Sequence, residues 1–332
     1  MKVDFAVPFE SAADCREQMQ RAERDGFDGV WMTEVKHDPF VPLALGATVT
    51  SRVELGTAIA VAFARNPMIV AQVANDLQEL SGGRFLLGLG TQIKTHVTRR
   101  FSMPWSRPAA RMREFVLALR AIWESWSDGS RLNFRGEFYS HTVMTPMFTP
   151  QPHPFGAPKV LLAGVGAGMT RVAGEVADGF LCHGFTTERY LREVTVPALR
   201  EGRGDLDGFE LVGNPMVVTG RDEAELAAAV ASTRKQIAFY ASTPAYRGVL
   251  EAHDRGALGE ELHGLSRRGE WDRMGERIDD DLLHAIAVVG EPAEVAGEVR
   301  RRYGDLFTRA TLYTPYPAEA GLVAEVAAAV RG

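Results

Sequence analysis

Four ionisable side chains come directly after one short apolar run, and they are the residues best suited to chemistry. The run is "GVWMT", and the cluster after it is Glu34, Lys36, His37 and Asp38. A histidine beside a carboxylate can take or give a proton near neutral pH. His37 could equally be a loop residue paired to Asp38 or Glu34. Glu34 itself could line a ligand site or form an ion pair with Lys36 or Arg65.

A glycine-rich stretch supplies a second candidate site. The segment "AGVGAGMTR" places Gly164, Gly166 and Gly168 between a predicted strand and a predicted helix. Unobstructed backbone N–H groups at a helix N-terminus can hold a phosphate. The segment matches neither the dinucleotide pattern G-x-G-x-x-G nor the pattern G-x-x-x-x-G-K-[ST]. The same glycines could instead serve only a tight turn and close packing.

Other kinds of site have little support in the sequence. Histidines and carboxylates nowhere take the spacing H-E-x-x-H, so a catalytic metal is disfavoured. Cys15 and Cys182 stand far apart, and no G-x-S-x-G nucleophile motif is present. Apolar residues such as Ile59, Val61 and Phe63 accompany few acid or base groups. This composition suits a planar organic cofactor better than it suits hydrolysis.

The overall composition narrows the range of partners. The 332 residues are 45% hydrophobic and carry a formal net charge of -6. A chain of this charge offers no basic surface for nucleic acid or for an anionic membrane, so we expect a small-molecule substrate. The first residues lack an apolar signal core, and no apolar run approaches the ~20 residues of a membrane span. We therefore expect a cytoplasmic protein.

The order of the elements predicts the architecture. Strand-like runs fall at 3–7, 29–33, 53–61, 84–90, 159–164, 179–184, 209–220 and 309–314. Strands that alternate with helices in this number are typical of a single-domain (β/α)₈ barrel, the TIM barrel, whereas a doubly wound sheet usually has about five or six. We expect one domain over 1–332, with insertions near 128–157 and 242–283. The first insertion contains a predicted hairpin, "LNFRGEFYS".

Helical periods fill the intervals between these strands. The predicted helices cover about 11–25, 40–50, 108–127, 168–177, 187–202, 222–241, 292–303 and 318–330. A further helix begins at Pro67 and ends before Gly82, since proline suits the first turn and glycine ends a helix. The acids of "IDDDLL" (278–283) predict a solvated helix start, because negative charge is favoured at the positive end of the helix dipole.

The barrel fold would bring distant residues to one place. Residues just past the carboxyl end of each barrel strand meet at one mouth, where active sites lie. The candidates that come after the second to fifth strands are Glu34, His37, Ala58, Ile59, Thr91, Gln92, His96 and the segment 164–169. His96 and His183 could touch a ligand, but a hydrogen-bonded structural role is the expectation for each. Arg65 could hold an anionic ligand or pair with a carboxylate.

With these residues in view, the chain resembles the bacterial luciferase-like superfamily, in the branch that uses the deazaflavin coenzyme F420. The landmarks match in order: "GFDGVWMTE", "VELGTAIAV", "NPMIVAQVANDLQELSGGRFLLGLG", "RPAARMREFVLALRAIW", "PQPHPFGAPKVLLAGVG" and "VADGFLCHG". The resemblance covers nearly the whole chain, and "LSGGRFLLGLG" is its most specific part. It implies a (β/α)₈ barrel with insertions, an oxidoreductase or monooxygenase that uses deazaflavin or flavin, and a homodimer.

The resemblance also implies a set of cofactor contacts. These are Glu34, Ala58, Ile59, Thr91, Gln92, Val165, Gly166, Gly168 and Met169. The Ala58–Ile59 bond falls where F420-using members have a non-prolyl cis peptide behind the ring. Thr91 and Gln92 match residues near the ring or the ribityl chain. The last four residues match the phosphate cradle.

Two positions depart from the family pattern. Many F420-dependent members have a histidine directly after the acidic residue, and Val35 stands there in this chain. His37 lies two residues further on and could take its place as a proton donor. Ile93 stands where a sugar-phosphate dehydrogenase of the family has its catalytic glutamate. This makes sugar-phosphate oxidation by that mechanism doubtful.

The residues and the resemblance together predict an F420-dependent oxidoreductase. It would move a hydride between C5 of the deazaflavin and a small organic substrate, with His37 and Glu34 as the catalytic residues. One alternative is an FMN-dependent monooxygenase that activates oxygen. A second alternative is a non-catalytic barrel that binds flavin or has lost it, since Val35 and Ile93 leave few acid or base groups.

Overall fold

The computed structural model describes residues 1–8 and 11–332, and strands alternate with helices along that part of the chain. The strands are β1 (Lys2–Ala6), β2 (Gly29–Met32), β3 (Glu54–Thr57), β4 (Ala60–Val61), β5 (Phe85–Gly90), β6 (Phe134–Arg135), β7 (Ser140–His141), β8 (Lys159–Gly164), β9 (Gly179–Cys182), β10 (Glu210–Gly213), β11 (Met216–Val218), β12 (Ala287–Val289) and β13 (Arg309–Thr311).

Parallel pairing closes these strands into a barrel. Within the described residues, the order around the ring is β1, β2, β3, β5, β8, β9, β10 and β13, and β13 pairs back to β1. β4 continues the line of β3 after an interruption at Ala58 and Ile59, and it pairs with β5. The fold is a (β/α)₈ barrel, which confirms the prediction from the alternating elements.

Helices cover the outside of the barrel and form much of the second insertion. They are α1 (Ala12–Arg24), α2 (Phe40–Val49), α3 (Pro67–Leu80), α4 (Pro108–Asp128), α5 (Ala167–Val176), α6 (Glu188–Tyr190), α7 (Val196–Arg203), α8 (Glu223–Ala241), α9 (Arg247–Glu251), α10 (Gly256–Arg267), α11 (Trp271–Gly275), α12 (Asp280–Ile286), α13 (Pro292–Tyr303) and α14 (Ala320–Arg331). π-helical turns lie at His96–Arg100 and Leu191–Thr195. Short 3₁₀ turns lie at Ala62–Ala64, Pro146–Phe148 and Pro244–Tyr246.

Side-chain caps fix where several helices begin. The Asn66 side chain accepts from the N–H of Ile69 at the start of α3, where Pro67 occupies the first turn. Asp222 caps α8, and Asp279 caps α12 by accepting from Leu282. These oxygens satisfy backbone donors that have no partner inside the helix. The cap on α12 confirms the predicted helix start in "IDDDLL".

A buried ion pair joins the first and last barrel strands near their amino-terminal ends. Arg309 Nε and Nη2 donate to the two oxygens of Asp4 at 2.6 and 2.9 Å, and the Trp31 indole donates to Asp4 at 2.8 Å. Both side chains of the pair are 0% exposed. Gly29 leaves room for the arginine, because a Cβ there would lie 2.6 Å from Arg309 Nη2.

An apolar layer fills the barrel interior above this pair. Its buried members are Trp31, Leu86, Leu161, Leu181 and Val212, and Ala58, Ile59 and Ala163 pack on it while partly exposed. The barrel interior is therefore a packed core and not a pore. Among the described residues, no helix combines the length and the apolar character that a membrane span needs.

Most of the predicted elements are confirmed, including the hairpin, in which β6 pairs antiparallel with β7. Two predicted strands were wrong in detail: 53–61 is broken into β3 and β4, and 209–220 is split into β10 and β11. β12 was not predicted, and it pairs with β11 outside the barrel ring. The segment 242–283, where the pattern is lost, contains α9, α10 and α11 and the start of α12.

Candidate active site

The carboxylate cluster predicted after β2 forms around Arg65. Glu34 Oε2 accepts from Arg65 Nη1 at 2.7 Å, and Arg65 Nη2 lies 2.6 Å from Asp38 Oδ2. Burial alone would lower the pKa of Arg65, but the hydrogen bond and the charge of Glu34 raise it. The guanidinium also lies over the Phe40 ring, 5.3 Å from its centroid. Of the two roles considered for Arg65, the structure shows pairing with carboxylates.

Glu34 also holds the interruption between β3 and β4. Its Oε2 accepts from the Val61 N–H at 2.7 Å, and its own N–H donates to the Ile59 carbonyl at 3.3 Å. The side chain is only 7% exposed. A cis peptide bond joins Ala58 to Ile59, as the resemblance implies. Glu34 therefore positions the segment around Ile59, and its part in proton transfer stays a prediction.

His37 lies in the loop between Glu34 and α2, and its side chain is exposed. This loop is joined to the turn after β5 by Arg100, whose guanidinium donates to the Val35 carbonyl. The Val35 side chain is 59% exposed. His37 thus stands at the exposed rim of the mouth, and its catalytic role stays a prediction.

Ile59 forms an apolar shelf at the mouth. It lies beside Gly90 at the end of β5, where a Cβ would come within 2.9 Å of Ile59 Cγ1. The missing side chain at Gly90 therefore makes the room that Ile59 occupies. Because Ile59 and Ala58 are only partly buried, their apolar surface is available to a flat ring.

Thr91 and Gln92 continue the chain from the end of β5 into this mouth. The Thr91 hydroxyl donates to the Gln92 carbonyl at 2.9 Å, and Gln92 Oε1 accepts from the Ile93 N–H at 3.0 Å. Gln92 adopts a φ of 60°, the left-handed region that few side chains favour. Both residues are partly buried. They lie where the sequence places them, but their contact with a cofactor stays a prediction.

The glycine loop after β8 leads into α5 with Gly166 as the N-cap. The first helical N–H groups with a bond inside the helix belong to Met169 and Thr170, and both donate to the Gly166 carbonyl at 3.1 Å. The N–H groups of Ala167 and Gly168 directly precede these two, in the first turn at the positive end of the helix. Such a terminus binds anions.

Steric room separates the two roles considered for these glycines. A Cβ on Gly166 or Gly168 would meet nothing within 4 Å. Neither glycine is needed for packing, and both leave the helix terminus open. Gly164 differs, because a Cβ there would lie 2.7 Å from Met169 Cγ. Gly164 serves close packing, while Gly166 and Gly168 leave an exposed, unobstructed surface that could hold a phosphate.

An aromatic cluster lies on the opposite side of the mouth from Glu34. β2 and β9 are four places apart in the ring of eight, so their carboxyl ends face each other. His183, directly after β9, stacks on Tyr246 with ring centroids 4.6 Å apart, and it meets the Tyr240 ring edge-on at 4.7 Å. The Tyr240 hydroxyl lies 3.2 Å from that of Tyr313, which comes after β13. Burial lowers the pKa of His183 to about 4, so it is neutral at pH 7.

Residues 3–309 match the family described as luciferase-like monooxygenase. The chain belongs to that family. An uncharacterised protein of Mycobacterium tuberculosis is 58% identical over 307 residues, which cover 91% of this chain and 90% of that protein. A putative coenzyme F420-dependent oxidoreductase of the same organism is 30% identical over 296 residues, with 83% of each chain covered.

Among solved structures, a coenzyme F420-dependent tetrahydromethanopterin reductase from Methanopyrus kandleri shares the fold of this luciferase-like protein. It superposes with a TM-score of 0.80 at 20% identity, over 99% of this chain and 98% of that chain. At this identity, the likeness establishes the barrel fold. The chemistry has to be inferred from the residues of the mouth.

The mouth of this luciferase-like barrel fits a flat ring that carries a phosphate-bearing tail. The shelf at Ile59 offers apolar surface to a ring, and the open terminus at Gly166 and Gly168 offers N–H donors to a phosphate. No three His, Cys, Asp or Glu side chains of the described residues lie together as a metal site would require.

Several residues at this mouth were missed by sequence reasoning. Tyr240 and Tyr246 belong to α8 and to the turn that opens the second insertion, and Arg100 to the turn after β5. They come from segments with no motif, so the sequence held no signal that could have found them. Tyr313 is the second-last residue of the predicted strand 309–314, and its place near the carboxyl end could have marked it as a candidate.

Proposed function

We propose that this luciferase-like protein is an F420-dependent oxidoreductase that transfers a hydride between C5 of the deazaflavin and a small organic substrate. One observation carries the proposal: β8, which leads to the open terminus of α5 at Gly166 and Gly168, and β4, which follows Ile59, both pair in parallel with β5, so the two segments lie at the same end of the barrel. A coenzyme that joins a flat ring to a phosphate matches both parts. The 30% identical relative whose name includes coenzyme F420 adds support.

The residues of the mouth would divide the work between the two ends of the coenzyme. The Ala167 and Gly168 N–H groups would hold the phosphate, with Val165 and Met169 beside them. Ile59 and Ala58 would support one face of the ring, and Thr91 and Gln92 would line its edge or the ribityl chain. The bound deazaflavin would supply the carbon that gives or accepts the hydride.

The charged side of the mouth would set the orientation of the ring and the path of a proton. Glu34 fixes the Ile59 segment through the Val61 N–H and holds Arg65 in place. His37 stands at the exposed rim, where it could exchange a proton with solvent and with a substrate. Apolar surroundings would exclude water from the transferring hydride.

Two other functions remain as candidates. An FMN-dependent monooxygenase is favoured by the family description itself, and its cofactor also joins a flat ring to a phosphate. A non-catalytic barrel that binds flavin is the other, because Val35 and Ile93 stand where some members have catalytic side chains. We further propose that the protein acts in the cytoplasm as a homodimer on a small molecule, with neither nucleic acid nor membrane as a partner.

Binding titrations with the two cofactors test the proposal. We expect the purified protein to bind F420 and quench its fluorescence, with FMN at least ~10-fold weaker, which corresponds to about 1.4 kcal/mol. Tight FMN binding without F420 binding would reject the proposal in favour of the monooxygenase. A panel of alcohols, aldehydes, ketones and imines is then assayed for turnover, which is followed by the change in F420 absorbance. Saturable binding without any turnover would favour the non-catalytic barrel.

A further inference from the structure

The aromatic cluster after β9 contains a hydrogen-bond chain with a fixed direction. The Phe185 backbone N–H donates to His183 Nδ1 at 3.0 Å, and His183 Nε2 lies 3.3 Å from the Tyr246 hydroxyl. A neutral imidazole that accepts at Nδ1 carries its proton on Nε2. His183 therefore donates to the Tyr246 oxygen.

This direction leaves the Tyr246 hydroxyl proton available for another acceptor. Within residues 1–8 and 11–332, no group other than His183 hydrogen-bonds to the Tyr246 hydroxyl. The side chain is only partly buried, and it stacks on His183, which comes directly after β9 at the mouth. Burial and the neighbouring Tyr240 raise the pKa of Tyr246 to about 12, so the hydroxyl stays protonated at pH 7. The donor is held by the ring stack without an acceptor of its own.

We propose that Tyr246 donates a hydrogen bond to a carbonyl oxygen or imine nitrogen of the substrate, and that His183 positions it. The inference rests on the proposed function, since it names the substrate group that would face the hydride carrier. An acceptor next to the reacting carbon gains negative charge as a hydride arrives, and a fixed donor stabilises that charge. Val35 stands where many members have a histidine donor, and Tyr246 offers a donor from the opposite side of the mouth.

The first test measures the direction of the hydrogen-bond chain in the protein without any ligand. Imidazole ¹⁵N chemical shifts of His183 separate the two neutral tautomers and the charged ring. We expect the Nε2–H tautomer from pH 8 down to about 6. A dominant Nδ1–H tautomer, or a charged ring at pH 7, would overturn the proposal, because Tyr246 would then have no fixed free proton.

The second test uses acetophenone labelled with ¹³C at its carbonyl, added to protein with and without F420. We expect the bound carbonyl resonance to lie further downfield in the wild type than in Tyr246→Phe, and the Kd to rise about 3- to 10-fold in the variant. The substitution keeps the ring that stacks on His183. Tyr316→Phe is the matched control, since its hydroxyl bonds only to the Thr219 backbone among the described residues, and it should leave both readouts unchanged.

The outcomes separate this inference from the proposed function. Equal shifts and equal Kd values in the wild type and Tyr246→Phe would overturn the Tyr246 assignment, even where F420 binds normally. Failure of the wild type to bind acetophenone at all would overturn the carbonyl assignment. A loss of shift in Tyr246→Phe with no F420 binding to either protein would refute the proposed function and leave the donor in place.

Discussion

Glu34 receives two hydrogen bonds through one oxygen, from the Val61 N–H and from Arg65. We expect Glu34→Gln to lower the free energy of unfolding by about 1–3 kcal/mol, because the buried end of the guanidinium loses its charged partner. Arg65 keeps Asp38, which limits the loss. Urea unfolding at neutral pH measures the change as a shift in midpoint at constant m-value.

Asp38→Asn is the control for this substitution. The Asp38 side chain is 45% exposed, so solvent screens its pair with Arg65 and the expected loss is below about 1 kcal/mol. Equal losses in the two variants would contradict the positioning role of Glu34. F420 affinity should fall in Glu34→Gln as well, since the Ile59 shelf depends on the same carboxylate.

His183 should make the stability depend on pH. Its pKa is about 4 in the folded chain because of burial, against ~6.5 when unfolded. Between these values only the unfolded chain takes up the proton, so stability that is full above about pH 6.5 is lost as the pH falls toward 4. His183→Phe keeps a ring in the stack and removes the titration. Thermal or urea unfolding across this window should show a loss smaller by about 1–3 kcal/mol in the variant.

If the free energy of unfolding falls as steeply with pH in His183→Phe as in the wild type, other groups cause the acid sensitivity. His253→Gln is the comparison, because its imidazole is less buried and, within the described part of the chain, shares a hydrogen bond with the Thr187 hydroxyl at 2.8 Å. Burial also lowers the pKa of His253. We expect His253→Gln to remove a smaller part of the pH dependence of stability than His183→Phe does.

Single residues are predictable from the sequence where a strand end places them, and unpredictable where a distant segment supplies their partner. The position of Glu34 after an apolar run was readable, and so was its alternative as a partner of Arg65. The pairing of His183 with Tyr246 was not, because 63 positions separate them and neither lies in a motif. Contacts between distant segments depend on the packed fold, which local periodicity does not specify.

Among the elements, the barrel strands and the long helices follow from local pattern. α4 and α8 were predicted within a residue or two of their observed ends, because apolar periodicity and capping residues are local features of the sequence. β12 has three residues, and α9 and α11 have five each. α11 packs against α8, β12 pairs with β11, and α9 packs against α10. Elements so short depend on this packing, so their own sequence carries no clear signal.

The connection from β8 to α5 allows binding and folding to be tested separately. Gly166 has an extended backbone, with φ of -116° and ψ of 152°, which a β-branched residue adopts readily. Its Cβ would point into open space. We expect Gly166→Val to weaken F420 binding at least ~10-fold by blocking the phosphate, while the Tm changes by less than about 2 °C. Fluorescence titration and thermal unfolding give the two readouts.

Gly297→Ala is the matched control, because a Cβ there also meets nothing within 4 Å but lies in α13, away from the glycine loop. It should leave the F420 Kd unchanged and stabilise the helix by up to about 1 kcal/mol. Unchanged F420 affinity in Gly166→Val would remove the phosphate assignment. A large fall in Tm would instead assign Gly166 to packing.

For the whole molecule, the number and order of the barrel strands were predictable, but the ion pair that joins the first and last of these strands was not. Asp4 and Arg309 stand 305 positions apart, and each looks like an ordinary charged residue inside a strand. Only closure of the ring brings β13 beside β1 and makes them neighbours. Charges inside a strand argue against burial when read alone, and a partner across the barrel reverses that argument.

Arg309→Met should show how much the closed ring depends on this pair. The substitution leaves Asp4 charged and fully buried, with only the Trp31 indole as a side-chain donor. We expect the free energy of unfolding to fall by about 3–5 kcal/mol in guanidinium titrations. Lys2→Met is the control, since its pair with Glu54 is 46% and 27% exposed and should contribute less than about 1 kcal/mol. Equal losses from Arg309→Met and Lys2→Met would show that the barrel closes through its backbone ladder and apolar layer alone.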